Sequence, residues 1–469
     1  MRHAAIVPGV LLTLAGVALA QPMAEGPVVR YDGHRLVRVQ LHGARDIQTV
    51  FALGGDQWSH RLQDGPNDFA FSPEAFEALR ASGIPFEILN NNIQDAIDAE
   101  NARLRAPGQG RGWYDDFKNL AAIETQLNAL AAGYPGLATV VNLGNSLQNR
   151  PIKGLRIAND AIGTPACEPT ILYNACQHAR EWISPMVAMY AAEQFLATYA
   201  TNGDVRYLVD HAEILIIPVT NPDGYTYTWT NDRYWRKNRR NNGDGTTGVD
   251  LNRNWGYQWG LNNGSDSWGG SEIYRGTTPF SEPETQRLRD WAASRPALVA
   301  SVDLHSYGQY ILWPWGYTSQ LPPDNATFQS LGTELKNVIK SFYNRTYTTG
   351  PIYNTLYPAS GVHTDYFWGT ETAHAFTIEL RGNDFVVPPS EIIPNSIEVY
   401  GALRHFALWA LDRNPPQADF NLDGSINTLD VLSFLNAWSA GNSSADVNHD
   451  GSVNTLDVLT FLNLWNQQC

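Results

Sequence analysis

Between Tyr114 and about Asp412 the sequence alternates helical patterns with short buried-strand patterns. Tyr114 to Ala132 and Ile183 to Tyr199 place apolar residues at helical spacing, whereas Ile171 to Ala175 and Ile214 to Val219 are compact apolar runs. Alternation of this kind is typical of an α/β domain, in which helices cover the faces of a central sheet. We therefore predict an α/β domain of about 300 residues.

A smaller unit precedes this domain. Strand-like runs over Leu36 to Leu41, Thr49 to Ala52 and Phe69 to Phe71 alternate with helical stretches over Pro73 to Ser82 and Ile93 to Leu104. This pattern predicts a separate small α+β domain.

A stretch rich in proline and glycine, residues 106–112, joins the two units. It contains Arg111 and follows Arg103 and Arg105, and such a segment is expected to be exposed and accessible to proteases. The residue content fits two interpretations, namely proteolytic removal of the N-terminal unit or a linker that stays intact.

The first twenty residues are typical of a signal peptide. Arg2 and His3 form a short basic start, Ile6 to Leu19 is apolar, and Ala18-Leu19-Ala20 provides a small-residue cleavage site. The apolar stretch is shorter than the roughly 20 residues needed to span a bilayer, which argues against a membrane anchor. We therefore predict a secreted protein without a membrane span.

Charge and cysteine content argue against two classes of protein. The formal net charge is -15, whereas nucleic-acid binding depends on a cationic surface. The three cysteines, Cys167, Cys176 and Cys469, are too few for a disulfide-stabilised scaffold. An extended chain from Cys167 to Cys176 spans about 30 Å, so we expect no bridge between them unless the chain bends back.

His178 and Glu181 follow the apolar run Ile171 to Ala175, at the expected junction of a strand and a helix. A spacing of three residues lets both side chains face one point, although a His–Glu ion pair at a helix start has the same spacing. His305 ends another apolar strand, and α/β folds place their sites at strand ends. Two histidines and a carboxylate are typical ligands of a catalytic zinc with one position open for water.

With these residues in place, the chain resembles the A/B-type zinc metallocarboxypeptidases from Tyr31-Asp32-Gly33-His34 to about Leu411. Beyond the three candidate ligands, the resemblance rests on five motifs: Asn221-Pro222-Asp223-Gly224-Tyr225, Trp235-Arg236-Lys237-Asn238-Arg239, Asp250-Leu251-Asn252-Arg253-Asn254-Trp255, Tyr357-Pro358-Ala359-Ser360-Gly361 and Phe376-Thr377-Ile378-Glu379-Leu380. It implies a mixed central sheet flanked by helices, and an enzyme that removes single residues from peptide C-termini.

The resemblance also implies an inactive precursor. The chain then divides into a signal peptide (1–20), an activation prodomain (21–111), a zinc carboxypeptidase catalytic domain (112–413) and a C-terminal module (417–469). By resemblance, the prodomain covers the cleft that the substrate must enter.

The resemblance implies a catalytic role for five residues. The ligands of one Zn²⁺ are His178, Glu181 and His305. Glu379 is the general base, since a carboxylate beside the metal can take the proton of water and pass it to the leaving amine. Arg239 stabilises the negatively charged oxygen of the tetrahedral intermediate. Pairing of Glu379 with Arg381 is the alternative for that carboxylate.

Further residues are implied in substrate binding. Asn252 and Arg253 bind the terminal carboxylate of the substrate. An internal peptide carbonyl could not form the same pair of parallel hydrogen bonds. Arg236 assists binding, Tyr357 closes over the substrate and Asp250 orients His178. The positions that match outer subsites are Arg180, Ser306 and Tyr307.

The position of Thr364 bears on specificity. Relatives that prefer basic residues carry an aspartate there, and Val362, His363 and Thr377 provide no anionic pocket floor. We therefore expect the release of neutral or hydrophobic C-terminal residues.

Two local features have a second interpretation. The basic cluster Arg233, Arg236, Lys237, Arg239 and Arg240 could bind nucleic acid, but its position favours a path for the substrate carboxylate. Cys176 could be a fourth zinc ligand, but a thiolate would close the site, so we expect a buried core cysteine.

Two other functions compete with the carboxypeptidase hypothesis. A related zinc amidohydrolase or endopeptidase would not need the carboxylate-binding pair Asn252 and Arg253. A catalytically inactive peptide-binding protein would be expected to lack Glu379 or a ligand, and all of them are present.

A repeat follows Asn414-Pro415-Pro416, because Asp419 to Trp438 matches Asp446 to Trp465, 27 residues later. Each copy has oxygen-bearing side chains at loop positions 1, 3, 5, 9 and 12 and glycine at position 6, which is typical of a calcium loop. The candidate ligands are Asp419, Asn421, Asp423, Asn427 and Asp430 in one loop, and Asp446, Asn448, Asp450, Asn454 and Asp457 in the other.

The paired loops, each followed by a helix, resemble dockerin modules, in which Asp likewise replaces the usual Glu at position 12. The resemblance implies a small all-α module that binds two Ca²⁺ ions. Its shared core is expected to contain Val431, Leu432, Leu435, Trp438, Val458, Leu459, Leu462 and Trp465. The sequence leaves open whether the module binds a protein receptor or only stabilises the chain.

Overall fold

The computed structural model describes residues 27–59, 64–106, 112–161, 168–295, 297–413, 418–423, 425–448 and 451–467. The predicted signal peptide, Arg111 in the linker, Cys167, Cys469 and the candidate calcium ligand Asp450 lie outside these residues. The described residues form an N-terminal unit (27–106), a central unit (112–413) and a C-terminal unit (418–467).

The N-terminal unit is a four-stranded antiparallel sheet with helices packed on it. Its elements are β1 (Arg35–Leu41), α1 (Ala44–Ala52), β2 (Asp56–Gln57), β3 (Gly65–Phe71), α2 (Pro73–Ser82), β4 (Phe86–Asn90) and α3 (Ile93–Arg105). The strand order is β2-β3-β1-β4. Val37, Val39 and Leu41 alternate along β1 and pack against Phe69 and Phe71, because every second side chain of a strand faces the same side.

The structure corrects one prediction for this unit. Thr49 to Ala52 is not a strand but the end of α1. Val50 is buried against the sheet while Phe51 is exposed, so the segment shows only one face to the core. A short apolar run fits a strand or a buried helix equally well, and periodicity over four residues does not separate them.

The central unit is built on a mixed sheet, as the resemblance implied, and this sheet has eight strands. Its strands are β5 (Ala138–Asn145), β6 (Pro151–Ile157), β7 (Thr170–Ala175), β8 (Glu213–Ile217), β9 (Leu298–Ser306), β10 (Tyr310–Trp313), β11 (Thr348–Pro351) and β12 (His374–Leu380). Their order across the sheet is β11-β10-β12-β9-β7-β8-β6-β5. The central strands β12, β9, β7 and β8 run parallel, and antiparallel pairs lie on both sides of them.

Helices cover both faces of this sheet. They are α4 (Leu120–Gly133), α5 (Ile183–Ala197), α6 (Gly203–His211), α7 (Pro222–Thr230), α8 (Pro283–Ala293), α9 (Asn325–Tyr343), α10 (Ile352–Thr355), α11 (His363–Gly369) and α12 (Ile392–Arg413). Two hydrophobic clusters result, one containing α5 and α12 and the other containing α8 and α11. The helix predicted from Tyr114 begins at Leu120, where the side chain of Asn119 accepts a hydrogen bond from the N–H of Ala122.

The register of the central strands positions the candidate site. Ala175 at the end of β7 pairs with Leu304 of β9, and His305 pairs with Glu379 of β12. Since the carboxyl ends of parallel strands meet at one edge of a sheet, residues at these three ends are neighbours.

The C-terminal unit consists of α13 (Thr428–Ser439), α14 (Thr455–Gln467) and their loops. The buried rings of Phe434 and Phe461 stack with centroids 4.1 Å apart, and Phe420 packs edge-on against both. The indole N–H of Trp438 donates to the carbonyl of Asn454, and that of Trp465 donates to the carbonyl of Asn427, so each helix is tied to the opposite loop.

The predicted core of this unit is only partly correct. The side chains of Val431, Trp438, Val458 and Trp465 pack against the phenylalanine pair. Leu432, Leu435, Leu459 and Leu462 are instead exposed, at 57%, 40%, 60% and 40%. Each helix carries a wider apolar stripe than two helices can bury against each other, so one side of the stripe faces outward. No helix of the described residues is long and apolar enough to cross a membrane.

Candidate metal centre

His178, Glu181 and His305 converge, as the sequence predicted. Nδ1 of His305 lies 3.0 Å from Nδ1 of His178 and 3.1 Å from Oε2 of Glu181, and Nδ1 of His178 lies 2.9 Å from Oε1 of Glu181. All three side chains are buried. Within the part of the chain that the structure describes, these residues form the one group of three His, Cys, Asp or Glu side chains close enough to hold a metal ion.

The backbone explains this convergence. His178 and Glu181 lie in the tight turn between β7 and α5, where the N–H of Glu181 donates to the carbonyl of His178. His305 is the penultimate residue of the neighbouring strand β9. The backbone N–H of Ser306 donates to Oε2 of Glu181 at 3.1 Å, which fixes the carboxylate. Ser306, expected in an outer subsite, therefore also supports a ligand.

Each imidazole ring contacts a carboxylate. Nε2 of His178 lies 3.1 Å from Oδ1 of Asp250, and Nε2 of His305 lies 2.6 Å from Oδ2 of Asp303. The Nδ1 atoms are thereby turned toward the shared point, and two imidazole nitrogens with one carboxylate suit Zn²⁺. Sequence reasoning missed Asp303, although residues two apart on a strand share a face and could have revealed it.

The electrostatics of the cluster favour a cation. Burial alone would raise the pKa of Glu181, but His178 and His305 hold it well below its usual range. Burial likewise opposes ionisation of Asp250, yet Arg236 and His178 hold its pKa well below its usual range. The carboxylates of Glu181 and Asp250 therefore stabilise positive charge at this point, which protons on the imidazoles or a metal cation bound by them can supply.

Glu379 lies on β12 directly across from His305 and is buried. Burial raises the pKa of its carboxyl group to about 8, and the proximity of His305 acts in the opposite direction. The alternative partner Arg381 lies 2.9 Å from Glu391 and 3.6 Å from Glu398 instead. The position of Glu379 is thus consistent with the predicted general base.

The position of Arg239 does not agree with its predicted role. Its guanidinium carbon lies 3.5 Å from the ring centre of Tyr227 and 4.4 Å from that of Trp235, a stacked arrangement. The arginine that reaches the site is Arg236, which is buried, donates to Oδ2 of Asp250 at 2.9 Å and lines the cavity described below. Two residues of irregular chain separate the two arginines, and spacing alone did not show which one faces inward.

Arg253 and Tyr357, both predicted to bind substrate, lie together. Nη2 of Arg253 donates to the Tyr357 hydroxyl at 3.1 Å, and Nη1 donates to the carbonyl of Asn252 at 2.7 Å. The buried Nε–H of Arg253 has no hydrogen-bond partner among the described residues. The side chain of Asn252 accepts from the N–H of His363, and its amide nitrogen lies 3.1 Å from Nε2 of His305.

A cavity of about 490 Å³ lies between the central and N-terminal units. The central unit contributes Arg180, Arg236, Arg253 and Tyr357 to its lining, and the N-terminal unit contributes residues of β2 and the adjacent Trp58. The carboxyl groups of Asp56, Asp266 and Glu272 line the same cavity, so the three guanidinium groups offer hydrogen-bond donors to a carboxylate ligand in a lining of mixed charge.

The predicted outer-subsite residues Arg180 and Tyr307 meet at Phe385. The guanidinium of Arg180 lies 4.2 Å from the ring centre of Phe385 and 3.8 Å from Glu272. Tyr307 packs edge-on against the same ring with centroids 5.0 Å apart.

Thr364 is buried, and its hydroxyl lies 2.6 Å from that of Thr377. The adjacent Asp365 accepts hydrogen bonds from the N–H groups of Gly316 and Tyr317, and burial raises its pKa to about 7. Its carboxylate is therefore committed to the backbone.

Cys176 is a free thiol in the main hydrophobic cluster. Its sulfur lies 3.6 Å from the carbonyl of His178, and burial raises its pKa well above the usual range. These features agree with a core cysteine.

The described residues of the two candidate calcium loops share a pair of hydrogen bonds at the last loop position. Asp430 accepts from the backbone N–H groups of Asn421 and Asn427 in the first loop. Asp457 accepts from the corresponding groups of Asn448 and Asn454. Asp419 and Asp446 accept from backbone N–H groups of their own loops, as does Asp423. Among the described acids of the tail, no three are gathered as closely as the residues of the metal centre.

Comparison with known proteins agrees with this geometry. The zinc carboxypeptidase family model matches residues 123–401, and the dockerin type I model matches residues 417–466. Zinc carboxypeptidase A 1 of Anopheles gambiae is 32% identical over 411 residues, which cover 84% of this chain and 92% of that protein. Carboxypeptidase A2 of Rattus norvegicus is 32% identical over 334 residues, covering 70% of this chain and 79% of the relative.

Solved structures show the same fold. The carboxypeptidase A of Helicoverpa armigera matches with a TM-score of 0.72 and 29% identity, over 82% of this chain and 99% of that one. Thrombin-activatable fibrinolysis inhibitor matches with a TM-score of 0.75 and 26% identity, over 81% and 99%. The fold and site define a zinc-dependent hydrolase, and the chain belongs to the zinc carboxypeptidase family. It carries a dockerin type I domain at its C-terminal end.

Arg236 and Arg239 make a matched pair of variants. Arg236→Gln should lower kcat/KM by about 10²–10³-fold, mainly through kcat, because it removes a fixed positive charge from the reaction site. Arg239→Gln should leave kcat/KM close to wild type, because that side chain stacks on Tyr227 and Trp235. Steady-state kinetics on a peptide with a free C-terminus distinguish the two, and the reverse ranking would contradict this assignment.

Proposed function

We propose that this metallocarboxypeptidase releases single neutral or hydrophobic residues from the C-termini of peptides and is made as an inactive precursor. The observation that carries the proposal is one cavity lined by Arg180, Arg236, Arg253 and Tyr357, in which Arg236 is linked to His178 of the metal centre through Asp250. A peptide end offers the anion that these cations need, and an internal peptide segment does not.

His178, Glu181 and His305 would hold the zinc. When bound, zinc polarises the scissile carbonyl and lowers the pKa of a bound water toward about 7. Glu379 takes the proton from the attacking water as its oxygen bonds to the carbonyl carbon. The same carboxyl group then delivers that proton to the leaving amine as the peptide bond breaks.

Arg236 and Arg253 have different roles in this proposal. The buried guanidinium of Arg236, held by Asp250, balances the negative charge that develops on the carbonyl oxygen. Arg253 binds the terminal carboxylate, to which its Nε–H, without a hydrogen-bond partner in the described part of the chain, offers an additional donor. Tyr357, hydrogen-bonded to Arg253, is placed to close over the bound residue.

The preference for neutral residues follows from the surroundings of Thr364. A basic side chain would require a counter-charge at the pocket floor, and the paired hydroxyls of Thr364 and Thr377 carry none. Asp365 is turned to two backbone amides and is uncharged over part of the neutral pH range. An apolar side chain needs no counter-charge in this pocket, so its burial is favoured.

The precursor role rests on how the N-terminal unit covers the cavity. Trp58 packs against Tyr234 with ring centroids 4.2 Å apart and joins an apolar cluster that also contains Phe385. This cluster includes Tyr307, so the N-terminal unit occupies the region of the outer subsites. A large substrate therefore cannot approach while the unit is in place.

A buried ion pair holds the two units together. Nε of Arg233 donates to Glu100 of α3 at 2.6 Å, and both side chains are almost fully buried. Arg233 also donates to the carbonyls of Arg180 and Phe385, which ties the pair to the substrate cleft. Cleavage in residues 106–112 would separate α3 from the central unit and allow release.

The C-terminal module is proposed to bind two Ca²⁺ ions, one for each loop. In both loops the carboxylate at position 12 accepts a hydrogen bond from the backbone N–H of position 3. We therefore expect both loops to bind Ca²⁺ if one of them does. The exposed leucines on both helices provide an apolar surface for a protein receptor. This module and the predicted signal peptide support secretion.

The proposed activity is tested with a panel of peptides. Enzyme from which the N-terminal unit has been removed should shorten peptides with a free C-terminal Phe or Leu faster than those ending in Lys or Arg. It should leave peptides with a C-terminal amide intact.

Glu379→Gln should retain zinc while kcat falls by about 10²–10⁴-fold, because the base is lost and the shape of the side chain is kept. Cleavage of the amides at equal rates would contradict a carboxypeptidase, and near-normal turnover by the variant would reject Glu379 as the base.

The precursor role is tested at the buried ion pair. Glu100→Gln should make the association of the N-terminal unit with the central unit less favourable by about 3–5 kcal/mol, because Arg233 would stay buried and charged without its partner. Asp98→Asn, on the same helix but exposed, is the matched control. After cleavage of the linker, activity on a large substrate should appear sooner in the Glu100 variant than in wild type or control. Full activity of the uncut wild-type chain on that substrate would reject the role.

Calcium binding is tested by equilibrium dialysis of the full chain. Two ions should bind per chain, and Asp419→Asn and Asp446→Asn should each remove one of them, because each residue is the first ligand of its loop. A stoichiometry that neither substitution changes would contradict the assignment of the loops.

A further inference from the structure

Asp303 is a buried carboxylate that the mechanism above does not use. It lies on β9 two residues before His305 and pairs across the sheet with Asn174 of β7. Because alternate residues of a strand face the same side, Asp303 and His305 project together from the strand. The position is at the centre of the sheet, where a carboxylate is costly to bury unless its oxygens are satisfied.

Three donors hold this carboxylate in one orientation. Oδ2 of Asp303 lies 2.6 Å from Nε2 of His305 and accepts from the side-chain amide of Gln177 at 2.6 Å. Oδ1 accepts from the amide of Asn174 at 2.8 Å. Gln177 is itself fixed, since its carbonyl oxygen accepts from the indole N–H of Trp255 at 3.0 Å. The carboxylate therefore cannot rotate away from His305 without breaking the bonds to both amides.

This arrangement selects one tautomer of His305. An ionised carboxylate can only accept, so the ring must carry its proton on Nε2. The lone pair is then on Nδ1, which is the nitrogen that lies 3.0 Å from Nδ1 of His178 and 3.1 Å from Glu181. The contact also makes the imidazole a stronger donor to a metal.

We propose that Asp303 is a positioning residue for the metal ligand His305, as Asp250 is for His178, and that it sets how tightly the chain retains zinc. The inference rests on the zinc site of the proposed function. Each histidine then has its own carboxylate, and both rings are oriented before the metal arrives. Loss of such an orienting partner typically weakens metal binding by about 10–100-fold.

The test compares Asp303→Asn with a matched buried carboxylate. Asparagine preserves the shape of Asp303 but removes its charge and turns an N–H toward the amide donors. The control is Asp223→Asn, since Asp223 is also buried and accepts from Ser146, Gln148 and Arg150, but contacts none of the zinc ligands. Both substitutions remove a buried carboxylate with three donors, so they should cost similar stability.

Zinc affinity of the full chain is measured by competition with a chromogenic chelator, beside the melting temperatures of the zinc-free proteins. The dissociation constant for zinc should rise about 10–100-fold in Asp303→Asn and stay at the wild-type value in Asp223→Asn. Equal zinc affinity in all three proteins would overturn the proposal, and so would an equal loss in both variants. A wild-type chain that binds no zinc would instead refute the proposed metal site itself.

A second measurement needs no variant and remains decisive if Asp303→Asn does not fold. Long-range nitrogen–proton NMR correlation spectra show which ring nitrogen of each histidine carries the proton. They are recorded on the zinc-loaded chain with nitrogen-isotope-labelled histidine. His305 should carry it on Nε2, with a strongly downfield proton signal from the short contact to Asp303. Zinc on Nδ1 leaves the proton on Nε2 in any case, so the downfield shift is the readout that depends on Asp303. An Nε2 proton of His305 without that shift would overturn the proposal, and so would a proton on Nδ1.

Discussion

The adjacency of three parallel strands determines the chemistry of this chain. β7, β9 and β12 are consecutive in the sheet and end at the same edge, so the turn after β7 brings His178 and Glu181 to His305, and β12 brings Glu379 beside them. The ligand atoms come within about a hydrogen-bond length of one another because the strand register allows it. Strands buried on both faces fix that register, since a shift by one residue would turn the site residues to the other face of the sheet.

Buried charge is the second constraint, and the structure meets it by pairing. Glu181 lies between two imidazoles, Asp250 between His178 and Arg236, and Asp303 between His305 and two amides. Each buried group provides the hydrogen bond or opposite charge that another one needs, so the site is a connected network. Removing one member leaves its partner buried without a hydrogen bond or counter-charge. A cation at the convergence of the Nδ1 atoms completes this balance. The same reasoning applies at the interface of the N-terminal and central units, where Glu100 and Arg233 are buried together beside the substrate cleft.

Much of the fold and the ligand set could be predicted from the sequence, because both depend on regular elements. Apolar runs bounded by helices indicated the sheet, and residues at strand ends indicated the ligands. The errors concern segments in which local pattern does not define direction. Arg236 and Arg239 lie in an irregular segment after α7, and only the stacking of Arg239 on Tyr227 and Trp235 shows which arginine faces the cavity. Leu432 and Phe434 lie on one apolar helix, and only packing against α14 shows that Phe434 is the buried residue. Asp303 could have been found from its spacing to His305.

X-ray absorption at the zinc edge, on the purified active chain, tests the account most directly, because it reports the number and type of atoms around the metal. The account predicts one zinc per chain, surrounded by nitrogen and oxygen neighbours at about 2.0–2.2 Å, with the outer-shell signature of two imidazole rings. It predicts no sulfur neighbour at about 2.3 Å, since the Cys176 thiol lies in the hydrophobic core. A sulfur shell, a single imidazole, or full activity without zinc would contradict it.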